Sequence, residues 1–301
     1  MNTIQDPHSH SPDTGICLPF DLSQPLSVLW CPPLKASGVV QMALDEALLD
    51  WLRLDETAPK SALVCRVYEW SEPTVSVGKH QALRSIAQAL EALNQSGQRA
   101  YDLVRRPTGG RALLHDCQAD GECSFAVVTN HPQLCSASLA DSYCWITTVL
   151  KEALAQLGRG EEMFAPSCTA SSRAYAAAPL CMDTQTPWDL MTPAGQKFLG
   201  SAQCRRKGGV LQHGSIKQSV LGADRLVSGM DALHQAMLSV LARQAGGKVA
   251  VDALELPDIS ALAARVEALE AVRHQEVQQM WARLSTTAGS HLVPASLRST
   301  S

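Results

Sequence analysis

The sequence lacks the spaced cysteine and histidine pairs that bind structural zinc. Ten cysteines occur in 301 residues, but no two form a CxxC pair, and no HxxxH segment is present. Tetrahedral zinc sites are usually built from such pairs. We therefore expect no metal site, and we expect most of the cysteines to be small buried side chains.

Long apolar runs and a strong net charge are also absent. No stretch approaches the ~20 apolar residues that a membrane-spanning helix needs, and the net charge is only -4. The N-terminal stretch MNTIQDPHSHSPDTG has neither the basic start nor the apolar core of a secretory signal. These absences argue against membrane and nucleic-acid partners. They predict a cytoplasmic protein with reduced thiols.

Hydrophobic periodicity predicts strands and helices that are mixed without a regular βαβ repeat. Strands are expected at residues 26–30, 62–70, 74–78, 102–106, 111–115, 122–128, 197–203 and 208–216, the last two as a hairpin. Helices are expected at residues 39–53, 82–97 and 138–157. This mixture favours an α+β fold with a mixed, largely antiparallel central sheet and flanking helices.

The chain divides into four parts by composition and pattern. Residues 1–24 are polar and predict a disordered arm, and residues 25–230 form the main domain. Residues 231–285 predict a helical C-terminal extension that packs on the main domain, and residues 286–301 a flexible tail. Residues 159–195 form a long irregular segment, and loops of that length are often functional.

The segment RRPTGGRALLHD (105–116) places three arginines around a glycine pair. Glycines let the backbone turn sharply and approach a ligand closely, and the arginines can bind an anionic group. A Walker phosphate loop is excluded because no Lys-Ser/Thr follows the glycines. Two interpretations stay open from these residues alone: a cradle for a ligand, or a basic hairpin turn.

Four further segments accompany this loop. They are MALDEALL (42–49), YEWSEPTVSVGKHQ (68–81), PLCMD (179–183) and GQKFLGSAQCRRKGGVLQHGSI (195–216). In this order, together with the glycine loop, they resemble the lipoate–protein ligase and octanoyltransferase family, which is related to biotin ligases. The resemblance covers about residues 26–230 and implies the biotin/lipoate ligase catalytic-domain fold.

The resemblance implies a catalytic cysteine and lysine. Cys181 matches the nucleophile of the cysteine-dependent octanoyltransferases, and Lys197 matches the lysine that precedes GSAQ in the family. A lysine beside the cysteine would lower the thiol pKa and stabilise negative charge on the acyl oxygen. Cys168, in the same irregular segment, and Cys204, after GSAQ, are the alternatives for the nucleophile.

The resemblance also implies a substrate-binding set. The glycine loop would shape the floor of the acyl site, the first β-rich segments would line an acyl tunnel, and the second hairpin would complete the pocket. The residues concerned are Arg106, Gly109, Gly110, Arg111, His115, Trp70, Ser76, Val77, Gly200, Ser201, Ala202, Gln203, His213, Gly214 and Ser215. His115 has a second interpretation, as a structural histidine that holds a hairpin by hydrogen bonds.

The implied activity is transfer of an octanoyl or lipoyl group from acyl carrier protein, through a cysteine thioester, to a lysine of a lipoyl domain. The acceptors would be lipoyl domains of 2-oxoacid dehydrogenases or the glycine cleavage carrier protein. No permanently bound cofactor is implied. Arg111, where ligases often have a third glycine, favours the octanoyltransferase branch.

Three alternatives remain open. They are an ATP- and magnesium-dependent lipoate–protein ligase, an amidotransferase between two lipoyl domains, and a member that binds carrier proteins without turnover. A basic rim is expected to steer acidic carriers. It would comprise Lys197, Arg205, Arg206, Lys207, Lys217 and Arg225, which are accompanied by one acid, Asp224.

Overall fold

The computed structural model describes eight stretches of the chain, which hold eleven strands and six helices. The stretches are residues 26–95, 101–116, 121–159, 163–164, 178–217, 229–244, 249–253 and 260–288. The predicted N-terminal arm, Cys168, Arg225 and residues 289–301 lie outside them. The strands are β1 (Leu26–Ala36), β2 (Ala62–Trp70), β3 (Thr74–Val77), β4 (Asp102–Arg105), β5 (Leu113–His115), β6 (Glu122–Thr129), β7 (Met163–Phe164), β8 (Leu190–Met191), β9 (Lys197–Arg206), β10 (Gly209–Lys217) and β11 (Val249–Ala253). The helices are α1 (Gly38–Leu54), α2 (Arg84–Gln95), α3 (Pro132–Ser136), α4 (Leu139–Gln156), α5 (Gly229–Gln244) and α6 (Ser260–Ala288).

Eight strands form the main sheet in the order β11-β1-β2-β6-β10-β9-β8-β7. β1 is parallel to both of its neighbours, and every other pairing in this sheet is antiparallel. The predicted mixed, largely antiparallel sheet is therefore confirmed. The predicted β9–β10 hairpin is also confirmed, and it places Gly200 opposite Ser215.

Helices cover both faces of the main sheet. In β2, Leu63, Cys65 and Val67 point to one face, where α4 and α5 pack, while Val64 points to the other face, toward α1. This alternation follows from the two-residue period of a strand. Both faces of the central strands are therefore buried, which explains why β2 and β6 are nearly continuous apolar runs.

A second sheet of three strands carries the glycine loop. Its order is β4-β3-β5, with β3 parallel to β4 and antiparallel to β5. The hairpin-turn interpretation of the loop is therefore wrong, because β4 and β5 do not pair with each other. The loop instead passes the end of β3, because β3 lies between β4 and β5 in the sheet. β4 and β5 are close in the sequence, which suggested that they pair, but β3 lies between them and prevents this pairing.

The described part of the C-terminal segment is mainly helical, as predicted, but it also contains one strand that was not predicted. β11 lies between α5 and α6 and adds a parallel strand to β1 at the edge of the main sheet. α6 packs against both α1 and the small sheet, where Trp281 and Leu284 join a core cluster with Val75 and Val77. The segment therefore completes the core of the molecule. Within the described residues, no helix is long and apolar enough to cross a membrane.

Candidate active site

One pocket, of about 520 Å³ including its mouth, lies where the small sheet meets the β9–β10 hairpin and the segment that begins at residue 178. All predicted site residues except Gly109, Val77 and Gln203 line it. The lining residues that had been predicted are Trp70, Ser76, Arg106, Gly110, Arg111, His115, Cys181, Lys197, Gly200, Ser201, Ala202, His213, Gly214 and Ser215. Residues far apart in the sequence thus meet at one cavity.

Cys181 and Lys197 lie side by side on the pocket wall. The Lys197 ammonium is 3.5 Å from the Cys181 Sγ and also donates to the Cys181 carbonyl at 3.1 Å. Cys181 is half-buried, whereas Lys197 is almost fully buried at the start of β9. A backbone hydrogen bond from Cys181 to the Ala112 carbonyl, 2.7 Å long, ties the cysteine to the end of the glycine loop.

Asp189 is a buried acid that the sequence reasoning did not single out. Its Oδ2 is 2.8 Å from the Lys197 Nζ, and Lys197 also donates to the Thr184 carbonyl at 3.0 Å. Burial alone would lower the pKa of Lys197, but the interactions with Cys181 and Asp189 outweigh burial and raise it. Lys197 is therefore held as a cation beside the cysteine sulfur. None of the segments that carry the family resemblance includes this position, so no signal in the sequence indicated the acid.

Gly200 is the β9 residue that makes room for this pair. A Cβ at this position would lie 2.7 Å from the Lys197 Cε and 3.5 Å from the Cys181 Sγ. Lys197 and Gly200 both belong to the start of β9, and the Lys197 side chain extends along the strand as far as Gly200. The absence of a side chain at Gly200 is therefore needed for Lys197 to reach Cys181.

The glycine loop is held by Arg106 and by close packing of two glycines. The Arg106 guanidinium donates to the carbonyls of Gly109 and Arg111, each at 2.9 Å, and to the Ser76 carbonyl at 2.7 Å. Gly110 has a positive φ of +88°. Its carbonyl oxygen lies so close to Gly78 that a Cβ added to Gly78 would be only 2.0 Å from it. Arg106 therefore fixes the loop conformation through backbone carbonyls, in addition to lining the pocket.

His213 connects the glycine loop to helix α1. Its Nδ1 is 2.7 Å from the Asp45 Oδ2, and its Nε2 is 2.6 Å from the Thr108 hydroxyl. Burial lowers the pKa of His213 more than Asp45 raises it, so the ring is neutral. Because a carboxylate only accepts, Nδ1 carries the proton and Nε2 accepts from Thr108. Asp45 also forms a buried ion pair with Arg66.

His115 belongs to a second buried network. Its Nδ1 is 2.5 Å from the Glu122 Oε1, its Nε2 is 2.6 Å from the Ser76 hydroxyl, and its ring stacks on Trp70 at 3.8 Å. Burial lowers the pKa of His115, and Glu122 opposes this only in part. Lys217 completes the network through a 2.6 Å contact with Glu122. Both ring nitrogens are thus engaged by protein groups, which favours a structural role for His115.

The predicted basic rim is wrong. Lys217 is buried against Glu122, and Arg206 pairs with Glu46 and Asp50 of α1. The Arg205 guanidinium donates to three backbone carbonyls, and Lys197 faces Asp189. Only Lys207 of the described members is exposed. The acids that neutralise these cations lie outside residues 197–225, so a count of charged residues within that range does not include them.

The remaining described cysteines are mostly buried thiols, as expected. Cys204, one alternative nucleophile, is buried in β9 and does not line the pocket. Burial raises the pKa of Cys31 to about 11 and that of Cys65 still further. Cys144 is disulfide-bonded, so the expectation that all thiols are reduced is wrong at this position. Among the described residues, no cluster of three or more His, Cys, Asp or Glu side chains is placed to hold a metal ion.

Known proteins resemble this chain in both sequence and fold. The model of the lipoyl protein ligase A/B catalytic domain matches residues 37–220. A protein of Geobacillus kaustophilus named octanoyltransferase LipM is 36% identical over 192 residues, which are 62% of this chain and 62% of that protein. Its namesake in Moorella thermoacetica is 36% identical over 211 residues, which are 68% of this chain and 71% of that protein. The chain thus spans somewhat under two thirds of the Geobacillus relative's length.

Solved structures show the same fold at lower sequence identity. A crystal structure of lipoate-protein ligase A bound with ATP has a TM-score of 0.57 and 16% identity, covering 81% of this chain and 94% of that chain. A bipartite lipoate protein ligase of Thermoplasma acidophilum, reported with its E2 lipoyl domain, has a TM-score of 0.50 and 16% identity, covering 81% of this chain and 92% of that chain. These likenesses confirm the expected fold.

Proposed function

This chain belongs to the lipoyl protein ligase A/B catalytic domain family, and from that premise we propose that it transfers octanoyl groups in protein lipoylation. The octanoyl group would pass from acyl carrier protein to Cys181 and then to a lysine of a lipoyl domain. The observation that carries the proposal is the 3.5 Å approach of the Lys197 ammonium to the Cys181 sulfur in the pocket. The relatives named octanoyltransferase LipM support the same activity.

The first step would load the enzyme. The Cys181 thiolate attacks the carbonyl carbon of the donor's octanoyl thioester. A C–S bond to Cys181 forms, the C–S bond to the donor breaks, and the released donor thiolate takes the proton that the cysteine thiol had lost. Lys197 would stabilise the cysteine thiolate and the negative charge that develops on the acyl oxygen.

The second step would transfer the group to the acceptor. A neutral lysine amine of a lipoyl domain attacks the carbonyl carbon of the Cys181 thioester, which forms a C–N bond and expels the cysteine thiolate. The proton that the amine loses passes to this thiolate and restores the Cys181 thiol. Lys197 would again favour the leaving thiolate by its charge. The similar fold of a ligase reported with its E2 lipoyl domain supports a lipoyl domain as the acceptor. The donor is already activated as a thioester, so the proposed cycle consumes no ATP and uses no resident cofactor.

Intact-mass spectrometry of the purified protein tests this proposal. Incubation with octanoyl acyl carrier protein, without ATP, should add one octanoyl group to the protein. Addition of a lipoyl domain should then move that group to the domain. The Cys181→Ala variant should form no adduct, and the Cys204→Ser variant should form a normal one, because Cys204 is buried outside the pocket.

The other activities predict different results in the same assay. A ligase would need ATP and free octanoate or lipoate, and it would tolerate Cys181→Ala. An amidotransferase would load Cys181 from an octanoylated lipoyl domain faster than from the carrier protein. Binding of both carriers without any adduct or product would contradict an enzymatic function.

A further inference from the structure

A groove lined mainly by basic side chains lies beside the pocket. Its lining includes Lys79, His80, Arg84, Arg105 and Arg283, contributed by the β3–α2 connection, the start of α2, the end of β4, and α6. Lys79, His80, Arg84 and Arg283 are exposed. No acidic side chain of the described residues lines this groove. A positive surface thus exists, at a different place from the rim that the sequence predicted.

Backbone and side-chain contacts join this groove to the candidate active site. The Lys79 amide donates to the Thr108 carbonyl of the glycine loop at 2.8 Å. The Gln81 side chain donates to the Pro179 carbonyl at 2.9 Å, two residues before Cys181. Arg105 directly precedes Arg106, which lines the pocket. A partner seated in the groove would therefore lie next to the segment that carries the nucleophile.

Arg105 holds the backbone of the groove in place. The Arg105 guanidinium donates to the carbonyls of Gly78, Lys79 and Gln81 at 2.7 to 3.1 Å, which fixes the connection that carries Lys79 and His80. Arg84 is the first residue of the twelve-residue helix α2, whose N-terminal end carries partial positive charge. Glu276 of α6 interacts electrostatically with Arg105 and also lies 4.0 Å from Arg273 of the same helix, so Lys79 and Arg84 are the groove cations used in the charge-reversal test.

We propose that this groove is the docking surface for the acyl donor, an acidic carrier protein that presents its acyl thioester on a phosphate-bearing flexible arm. The inference rests on the proposed function, since it assigns a surface to the donor of that reaction. The phosphate and the acidic carrier surface both match the cations of the groove. A lipoyl domain presents a lysine without a phosphate, so the groove fits the donor better than the acceptor. The chain's net charge of -4 disfavours a long polyanion such as nucleic acid.

Charge reversal in the groove tests the proposal. The double variant Lys79→Glu, Arg84→Glu should slow acyl-enzyme formation from octanoyl acyl carrier protein by about ten- to a hundred-fold at low salt, and the deficit should shrink at high salt. Loading from octanoyl pantetheine thioester, which lacks both the carrier and the phosphate, should change less than two-fold. Phosphorylated octanoyl pantetheine separates recognition of the phosphate from recognition of the carrier surface.

Lys207→Glu is the matched control. Lys207 is exposed in the β9–β10 turn, at the opposite end of β9 from Lys197, and it belonged to the rim that the sequence predicted. Loading of this variant from the carrier should stay within two-fold of the wild type. A loss in Lys207→Glu together with normal loading in the double variant would overturn the proposal.

Two further outcomes would also overturn it. Equal slowing with the carrier and with the pantetheine thioester would show that the substitutions disturb the site rather than docking. Normal loading with slow transfer to the lipoyl domain would assign the groove to the acceptor. Failure of the wild type to form an acyl-enzyme from any donor would instead contradict the proposed function itself, so the two failures are distinguishable.

Discussion

Lys197 and Asp189 form an ion pair of 2.8 Å in which both side chains are almost fully buried. Burying an unpaired charge is costly, so each group stabilises the charged form of the other. Asp189 also accepts a 2.7 Å hydrogen bond from the Thr186 amide, which fixes its direction. The pair keeps the ammonium at the Cys181 sulfur and makes Asp189 the residue that positions Lys197.

Asp189→Asn should reduce the rate of acyl-enzyme formation, although the asparagine side chain has nearly the same shape as the aspartate. The loss of the carboxylate charge should lower the pKa of Lys197, because Asp189 is one of the two groups that raise it. The alkaline limit of the loading rate should therefore move to lower pH, and kcat/KM at neutral pH should fall about ten-fold or more. Stopped-flow loading rates from pH 6 to about 10 would measure both effects.

Asp183→Asn is the control for this substitution. Asp183 lies in the same segment, two residues after Cys181, but it is exposed. The variant should keep the wild-type pH profile and rate. If Asp189→Asn also kept them, Asp189 would have no role in holding the lysine for reaction.

Gly200→Ala should separate activity from stability. The added Cβ would meet the Lys197 Cε at 2.7 Å, and the flexible end of a lysine can move away at small energetic cost. We expect the free energy of unfolding to change by less than about 1 kcal/mol, while loading of Cys181 falls at least about ten-fold. Urea denaturation and intact-mass kinetics on the same preparation would measure the two quantities.

Gly214→Ala should behave in the opposite way. Here the Cβ would lie 2.3 Å from the Gly200 carbonyl oxygen and 2.8 Å from the Ser201 Cα, which are backbone atoms. Backbone of a paired strand cannot move aside without disturbing the β9–β10 ladder. We expect a loss of about 1–3 kcal/mol in stability. Similar stability for both variants would contradict this steric account.

Local patterns were sufficient to predict most of the elements, including the β9–β10 hairpin with its alternating apolar residues. The resemblance to the lipoate–protein ligase and octanoyltransferase family, rather than any local pattern, implied that Cys181 and Lys197 belong to one site, and the structure places their side chains 3.5 Å apart. β11 was missed because VAVDA is short and lies between two helical patterns. Its strand conformation depends on pairing with β1, more than 200 residues earlier in the chain.

The buried acids were not predictable in the same way. Asp45 lies in an amphipathic helix and Glu122 at the start of a strand, positions where acids are normally solvated. Each is buried because its partners, His213 and His115 with Lys217, come from other elements. The same long-range pairing removed the expected basic rim, since Arg206 is neutralised by acids of α1.

Thr108→Val should loosen the glycine loop. The substitution keeps the side-chain shape but removes the hydroxyl that donates to His213 at 2.6 Å, leaving a buried ring nitrogen without that partner. Such a loss costs about 1–3 kcal/mol in unfolding free energy. Because the loop continues to Ala112, which binds the Cys181 backbone, the loading rate should also fall several-fold. Denaturation and loading kinetics would measure both effects.

Thr129→Val tests whether the loop is responsible. Thr129 is equally buried and donates a 2.7 Å hydrogen bond to the Ala62 carbonyl, but it does not line the pocket. A similar loss of stability is expected, with an unchanged loading rate. If the two variants lost activity to the same extent, the defect would follow from stability alone.

His234→Phe should remove part of the acid sensitivity of the fold. The His234 ring packs at a tilt against the Trp30 ring, with the ring centroids 3.5 Å apart, and neither ring nitrogen has a hydrogen-bond partner within the described residues. Burial lowers the pKa of His234 to about 4, so below pH ~6.5 the unfolded chain binds a proton that the folded protein excludes. Stability is thus fully present above pH ~6.5 and declines toward pH 4. The decline in unfolding free energy from pH 7 to pH 5 should be about 1–2 kcal/mol smaller in the variant. Urea denaturation at both pH values would measure this difference. His115 and His213 also have lowered pKa values, but they are present in both proteins, so their contributions cancel. An equal decline in both proteins would show that His234 titrates normally.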